Sequence, residues 1–374
     1  MRAHNERLVL TILRRHGPMA KAEIARATGL SAQTVSVMMR RLEEEGFLRK
    51  GEPQRGKVGQ PSVPMRLAGS GAYFGGLKIG RRSADLVLTD FVGRIISRAR
   101  ITYDFPRPEA TVQFAKDSFR QFAAQLSADQ KERIAGLGVA MPFRLWDWAA
   151  SLGLGPDEME GWRDFDIAQQ LQQGLGLPVF MQNDASSACG AELVFGAEDR
   201  ASDFLYFYLG YFAGGGVVLN NRLYTGRSGN AGALGSMPVP DGAGGQVQLI
   251  ERASLCVLER MMRTRGVETA SLWEPPAAWA VPEDILARWT AEAGKGLAQA
   301  IVSAVCVLDL PEVMIDGWLP PQVRAALVEA TNVELDHMDL SGIQRPVVRP
   351  GHVGHDARVM GAVSLPLSHR FLIE

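Results

Sequence analysis

Cysteine is scarce. The 374-residue chain has three, Cys189, Cys256 and Cys306, too far apart for a CxxC zinc or redox motif and odd in number, which argues against a disulfide framework. They read as reduced thiols in a core. Low-complexity tracts are missing, and the start MRAHNERLVL carries Arg2, Glu6 and Arg7 where a secretory signal needs an unbroken apolar run. No stretch reads as the roughly 18 apolar residues of a membrane span. The expectation is a cytoplasmic protein with no membrane partner. What the chain does have is 46% apolar and 22% charged residues, enough to bury a sizeable core. Single cores rarely grow past roughly 250 residues, so its length points to two or three domains.

The net charge of −1 hides a division: residues 1–67 hold 13 Lys and Arg against 6 Asp and Glu, and the remainder holds 27 against 35. A basic head on an acidic body suggests a nucleic-acid module joined to a second function. Within the head, Leu8, Ile12 and Leu13 recur at helical spacing and stop at Gly17-Pro18. Lys21 to Thr28 reads as a second short helix closed by Gly29-Leu30, and Ser31 is placed to cap a third that runs to Gly46. On that third helix Val35, Met38 and Leu42 share one face, while Gln33, Ser36, Val37 and Arg40 share the opposite one. Phe47 to Lys50, a turn-prone GEPQRGKVGQP stretch and Val63 to Leu67 then read as a two-stranded wing with Arg55 and Lys57 near its tip.

This is a winged helix-turn-helix pattern. Such a helix reads base edges with short polar side chains and holds phosphates with flanking cations. Ser31, Gln33, Thr34 and Ser36 suit the first role, and Arg40, Arg41, Arg55 and Lys57 the second. The implied partner is double-stranded operator DNA, read as a palindrome by a homodimer or tetramer.

From Tyr73 the pattern turns to strands, at Tyr73 to Ile79, Ala84 to Thr89 and Arg94 to Tyr103. Helices follow over Glu109 to Leu126 and Ile167 to Leu175, with short buried strands at Ile134 to Ala140 and Val179 to Gln182. A second set, Phe204 to Leu209, Gly215 to Leu219 and Arg222 to Tyr224, echoes the first and implies duplicated halves facing a cleft.

Four motifs now stand in order: Gln182-Asn183-Asp184-Ala185, Gly214-Gly215-Gly216, Gly229-Asn230-Ala231-Gly232-Ala233-Leu234-Gly235, and Ala357-Arg358-Val359-Met360-Gly361-Ala362. With the winged head, they resemble a transcriptional regulator of the ROK family (repressors, open reading frames and sugar kinases). The first three are similar to the family's E-N-D-A, second phosphate loop and G-x-A-G-E-I-G signature, and the fourth to its last helix. The resemblance implies an N-terminal winged helix-turn-helix, mainly α, followed by a two-lobed α/β body of the actin-like ATPase and sugar-kinase fold. Its domains would be 1–70, 71–182 completed by a C-terminal helix 355–374, and 183–354.

The same resemblance assigns roles. Asp184 stands at the family's catalytic base, and Asn183-Asp184 equally suits a turn that ends a strand and caps a helix. Gly138 to Phe143, with Gly138 and Pro142, would form the opposite wall. Gly232 belongs to the signature loop, where the family's sugar-binding Glu is Ala233, and Glu251 falls near the family's G-C-L-E glutamate. The implied ligand is a carbohydrate or related polyol.

Kinase chemistry on this scaffold needs glycine-rich hairpins for phosphates and a carboxylate for Mg²⁺. Where family kinases have D-I-G-G-T, this chain reads Lys78-Ile79-Gly80-Arg81-Arg82, and Asp316-Gly317-Trp318 departs from the glycine pair beside adenosine. ATP binding and catalysis are therefore not expected. Neither is zinc: the family's G-H and C-x-C-G-x-x-G-C site reads Gly235-Ser236 and Asp241 to Gln246, without His or Cys. His352-x-x-His355-Asp356 reads as a surface or capping segment. The expected function is a DNA-binding regulator, a repressor of carbohydrate-utilisation genes with a sensing body. The alternatives are a sugar kinase that kept a DNA-binding head and a regulator answering to a protein partner.

Overall fold

In the computed structural model, residues 4–52, 63–149, 153–155 and 157–373 are described; Arg55 and Lys57 lie outside them. Helices α1 (His4–His16), α2 (Lys21–Thr28) and α3 (Ala32–Glu44) close on Val9, Leu10, Leu13, Ile24, Val35, Met39 and Leu42, none more than 2% exposed. Met39, not Met38, is the deep residue of α3. The spacings i, i+3, i+7 and i, i+4, i+7 fit the same apolar arc, so periodicity alone does not separate them, and Met38 is half-buried at its margin. Gly29 takes φ +68 after α2, the left-handed turn that lets the chain re-enter a helix. Strands β1 (Leu48–Lys50) and β2 (Met65–Leu67) pair antiparallel.

The first lobe carries β3 (Tyr73–Ile79), β4 (Ser83–Asp90), β5 (Ile95–Thr102), α4 (Pro108–Ala124), the short α5 (Ala128–Glu132), β6 (Ile134–Ala140), α6 (Ile167–Leu175) and β7 (Val179–Gln182). Its sheet order is β5-β4-β3-β6-β7, with β3–β4 antiparallel and β3–β6 and β6–β7 parallel.

The second lobe begins with α7 (Asp184–Phe195), β8 (Phe204–Leu209), β9 (Ala213–Leu219) and β10 (Arg222–Tyr224). A small hairpin, β11 (Pro238–Pro240) and β12 (Gln246–Gln248), leads to α8 (Ile250–Ala253), α9 (Leu255–Thr264) and α10 (Glu283–Leu308). The chain continues through β13 (Glu312–Gly317), α11 (Pro321–Asp336), β14 (Val347–Pro350) and α12 (Ala357–Phe371). The order β10-β9-β8-β13-β14 repeats that of the first sheet strand for strand. The duplication read from the sequence is thus present.

Two compact units result: Met1–Gly80, Ala84–Gln182 and Ala362–Glu374 form one, and Arg81–Ser83 with Asn183–Gly361 the other. This differs from the expected division in three ways. The head groups with the first unit, Arg81–Ser83 group with the second, and the second unit extends past 354 to Gly361. The head's inclusion has a physical cause. Phe47 packs against Phe91 and Phe371 with ring centroids 5.4 Å apart in each case, and Phe74 meets Phe371 at 5.8 Å, so head, sheet and C-terminal helix share one aromatic core. Arg7 donates to the Leu372 carbonyl, Arg14 to that of Phe91, and the Ile373 amide to Thr11 Oγ1 at 3.0 Å. Burial draws the Arg14 guanidinium down to about 10, against the pull of Asp90.

Two sequence expectations change here. Helix α10 is long and apolar enough by length and composition to cross a membrane, but Ile285, Trp289, Leu297 and Ile301 are buried in the second lobe's core. Its apolarity serves packing. Of the cysteines, Cys189 is buried, Cys256 half-buried and Cys306 exposed, so only the first is a core thiol.

Candidate functional site

On α3, the Ser31 hydroxyl caps the helix by accepting from the Thr34 amide at 3.1 Å, and the two hydroxyls lie 2.8 Å apart. Both side chains are thus tied into the cap. Gln33 and Arg40 are exposed on the helix, Val37 is 64% exposed between them, and Ser36 is half-buried. Arg40 has no ion pair among the described residues. Arg41 does: it meets Glu6 at 3.2 Å and Glu45 at 2.9 Å. The Glu45 hydrogen bond leads the effects that hold its guanidinium above the ordinary arginine value. Its guanidinium links α3 to α1, a contact that sequence reasoning, which assigned Arg41 to phosphate, did not foresee.

In the second unit, Asn183 Oδ1 accepts from the amides of Ala185 at 3.0 Å and Ser186 at 3.3 Å, capping α7. That orients Asp184, the first residue of α7 and 9% exposed. Its Oδ2 accepts from Arg358 Nη1 at 3.1 Å. The Arg358 guanidinium lies 4.8 Å from the centre of the Tyr208 ring. Burial works against the Arg358 charge, but Tyr208 and Asp184 together hold its pKa above the ordinary arginine value. Tyr208, pushed up by burial, donates to the His355 carbonyl at 3.1 Å.

Arg81, buried, stacks on Phe212 at 4.3 Å from the ring centre, and Arg82 lies 5.8 Å from the centre of the Tyr211 ring. Burial lowers Arg81 to about 10; Asp184 opposes that fall and Arg358 adds to it. The two turns that resemble phosphate loops thus meet through a guanidinium and a phenyl ring. Sequence reasoning noted Arg81 and Arg82 but missed their partners Tyr211 and Phe212, although the bulky pair Tyr211-Phe212 just before Ala213-Gly214 was the available signal.

The glycines there serve packing. A Cβ on Gly216 would sit 2.5 Å from Cys189 Cβ, and one on Gly232, at φ +78, would sit 2.7 Å from Gly216 Cα. Deeper still, Asp316 is fully buried and accepts from Tyr206 Oη at 3.1 Å, Arg324 Nη1 at 2.8 Å and the Gly354 amide at 2.8 Å. Glu192 accepts from the His352 and Val353 amides. The His352 to Asp356 segment is therefore held by two buried carboxylates.

Gly138, in the first unit, lacks a side chain because the Ala362 carbonyl oxygen would lie 1.8 Å from a Cβ there. Pro142 is buried in that unit. Glu251 is exposed, with Arg260 3.9 Å away. Where the family places zinc ligands, Asp241 Oδ1 instead accepts from the amides of Ala243 at 2.7 Å and Gly245 at 2.9 Å. A hairpin closed in this way, with neither thiolate nor imidazole, does not fit the ion. Among the described residues no group of three or more His, Cys, Asp or Glu could hold a metal.

Comparison with known proteins agrees with this architecture. The ROK family model matches residues 74–261, and a winged helix-turn-helix DNA-binding model matches residues 2–49. The chain belongs to the ROK family and carries a winged helix-turn-helix head. It is 24% identical over 373 residues to the protein y4fQ of Sinorhizobium fredii, covering 98% of this chain and 91% of that one. With the xylose repressor of Bacillus subtilis it shares 28% identity over 235 residues, 63% of this chain and 60% of the repressor. A solved ROK family transcriptional regulator, a homologue of the Escherichia coli MLC protein, superposes with TM-score 0.70 at 18% identity, covering 97% of this chain and 95% of the other. A Streptomyces griseus ROK glucokinase superposes with TM-score 0.59 at 20% identity, covering 79% and 99%. These superpositions speak to the fold alone.

Proposed function

We propose that this chain is a cytoplasmic DNA-binding regulator that represses carbohydrate-utilisation genes. In this reading its ROK body senses a sugar or polyol and phosphorylates nothing. The observation that carries the reading is the state of Asp184. A general base must be able to take a proton from a substrate hydroxyl, whereas this carboxylate is engaged by Arg358 at 3.1 Å. Phosphate loops need backbone amides open to the anion, whereas Arg81 lies on Phe212 at 4.3 Å. Neither ATP nor zinc is required.

Sensing follows from competition. Sugar hydroxyls donate well to a carboxylate, so a ligand at Asp184 exchanges places with Arg358, and an effector acts only through such differential contacts. Helix α12 carries Arg358 at its start and Phe371, in the head's aromatic core, at its end. The protein works as a homodimer or tetramer on a palindrome.

The test pairs two assays on the full chain. ATP consumption is measured across a panel of sugars, and operator release is measured with the same panel on a promoter fragment from the protein's own gene cluster. Release without turnover is expected. Turnover that Asp184→Asn abolishes would instead establish the alternative, a kinase with a DNA-binding head.

A further inference from the structure

Where the head meets the first lobe, within one unit, an open cleft of about 430 Å³ lies between Arg49 of β1 and the hairpin turn that carries Asp90, Val92 and Arg94. That volume falls among small-molecule sites. One wall is apolar: Val92 and Ile96 are 41% and 43% exposed there, beside Leu126. Asp90 Oδ1 accepts from the amides of Val92 at 3.0 Å and Arg94 at 2.9 Å, while its Oδ2 lies against Gly69, another residue of the cleft lining. The guanidinium groups of Arg49 and Arg94 have no hydrogen bond or ion pair among the described residues.

A second observation is independent of the cleft. Arg49 stands directly opposite Arg66 across the β1–β2 ladder, and like charges facing each other on neighbouring strands destabilise the pair unless an anion offsets them. The C-terminal end of α3 is held on the body, where the Glu45 carbonyl accepts from Arg133 Nη1 at 3.2 Å, whereas Gln33 and Thr34 lie at the helix start. The cleft is on the body side of the head.

We propose that this cleft binds a small amphipathic anion, a carboxylate or phosphate on a compact apolar group. Arg49 and Arg94 take its charge, and Val92, Ile96 and Leu126 take its apolar part. Both head and lobe line the cleft, so an occupant fastens the head in its docked position and changes operator affinity. The site is separate from the Asp184 cluster and does not depend on it.

Titration calorimetry on the full chain tests this with benzoate and phenyl phosphate as probes and benzyl alcohol as their neutral counterpart. At least one anion binds saturably, and which of the two binds more tightly assigns carboxylate or phosphate. Benzyl alcohol binds at least about tenfold more weakly, and Arg49→Gln and Arg94→Gln each weaken the anion by about tenfold, as loss of a charge-assisted hydrogen bond does. Arg40→Gln leaves anion binding unchanged. Arg94→Gln is checked for an unaltered unfolding midpoint, and Arg49→Gln for one that is not lowered, since that change relieves the repulsion with Arg66. No saturable heat from either anion, equal affinity for benzyl alcohol, or unaltered binding in Arg94→Gln overturns the proposal. So does a loss of operator affinity in Arg94→Gln without anion binding, which would assign the two arginines to nucleic acid.

Discussion

Arg358 Nη1 and Asp184 Oδ2 are 3.1 Å apart, with side chains only 12% and 13% exposed. Breaking such a pair by removing one member leaves a charge without its counterpart. Arg358→Met should therefore lower stability by about 3 kcal/mol, read as a shifted urea midpoint. The double variant Arg358→Met with Asp184→Leu should recover most of that loss, because an apolar pair of similar volume carries no stranded charge. A single variant as stable as the parent would show that the pair is too well hydrated to matter.

Arg40 and Arg41 are adjacent in sequence and should behave differently. Arg40→Gln should weaken operator binding and reduce the slope of log affinity against log salt by about one, with the unfolding midpoint intact. Arg41→Gln should instead lower the unfolding midpoint slightly without changing the salt slope, because its partners are half-buried Glu45 and buried Glu6. Equal salt slopes for Arg40→Gln and the parent protein would remove Arg40 from the phosphate contacts.

Much of this could be read from the chain. Strand limits at Tyr73–Ile79, Ile134–Ala140, Val179–Gln182 and Phe204–Leu209 coincide with the sequence reading, because buried runs bounded by turn residues leave little choice. Long-range pairings could not be read. Nothing local marks Arg358 as the partner of Asp184, 174 positions earlier in the chain, or Phe47 as a neighbour of Phe371. Gly138 was expected in a ligand wall from the family's Gly/Pro loop; its close approach to the Ala362 carbonyl, 224 positions later, has no local signal in the sequence.

Gly138→Ala tests that approach. The added methyl would meet the Ala362 carbonyl at 1.8 Å, and forced overpacking of this kind costs about 1 to 3 kcal/mol. The expected result is a clear drop in the urea midpoint. An unchanged midpoint would return Gly138 to the ligand wall.

Glu192 gives a pH dependence with a definite sign. Burial, the leading cause, raises its pKa above the ordinary 4.5, although the Val353 and His352 amides pull it down. Between the ordinary and the raised value the native protein holds a proton that the unfolded chain has released. Stability therefore falls as pH rises through that window. Glu192→Gln should remove this fall, seen as a urea midpoint of the parent that drops relative to the variant's as pH rises from below 4.5 toward neutrality. Parallel curves would refute the assignment.

The rings of Phe47, Phe74, Phe91 and Phe371 meet within a single unit. The head is consequently not a detachable cassette. Grafted onto another body without its three companions, Phe47 would meet solvent, and the excised reader would be prone to self-associate. Any chimera that keeps this DNA specificity has to carry the β3–β4 framework and the end of α12 along with it.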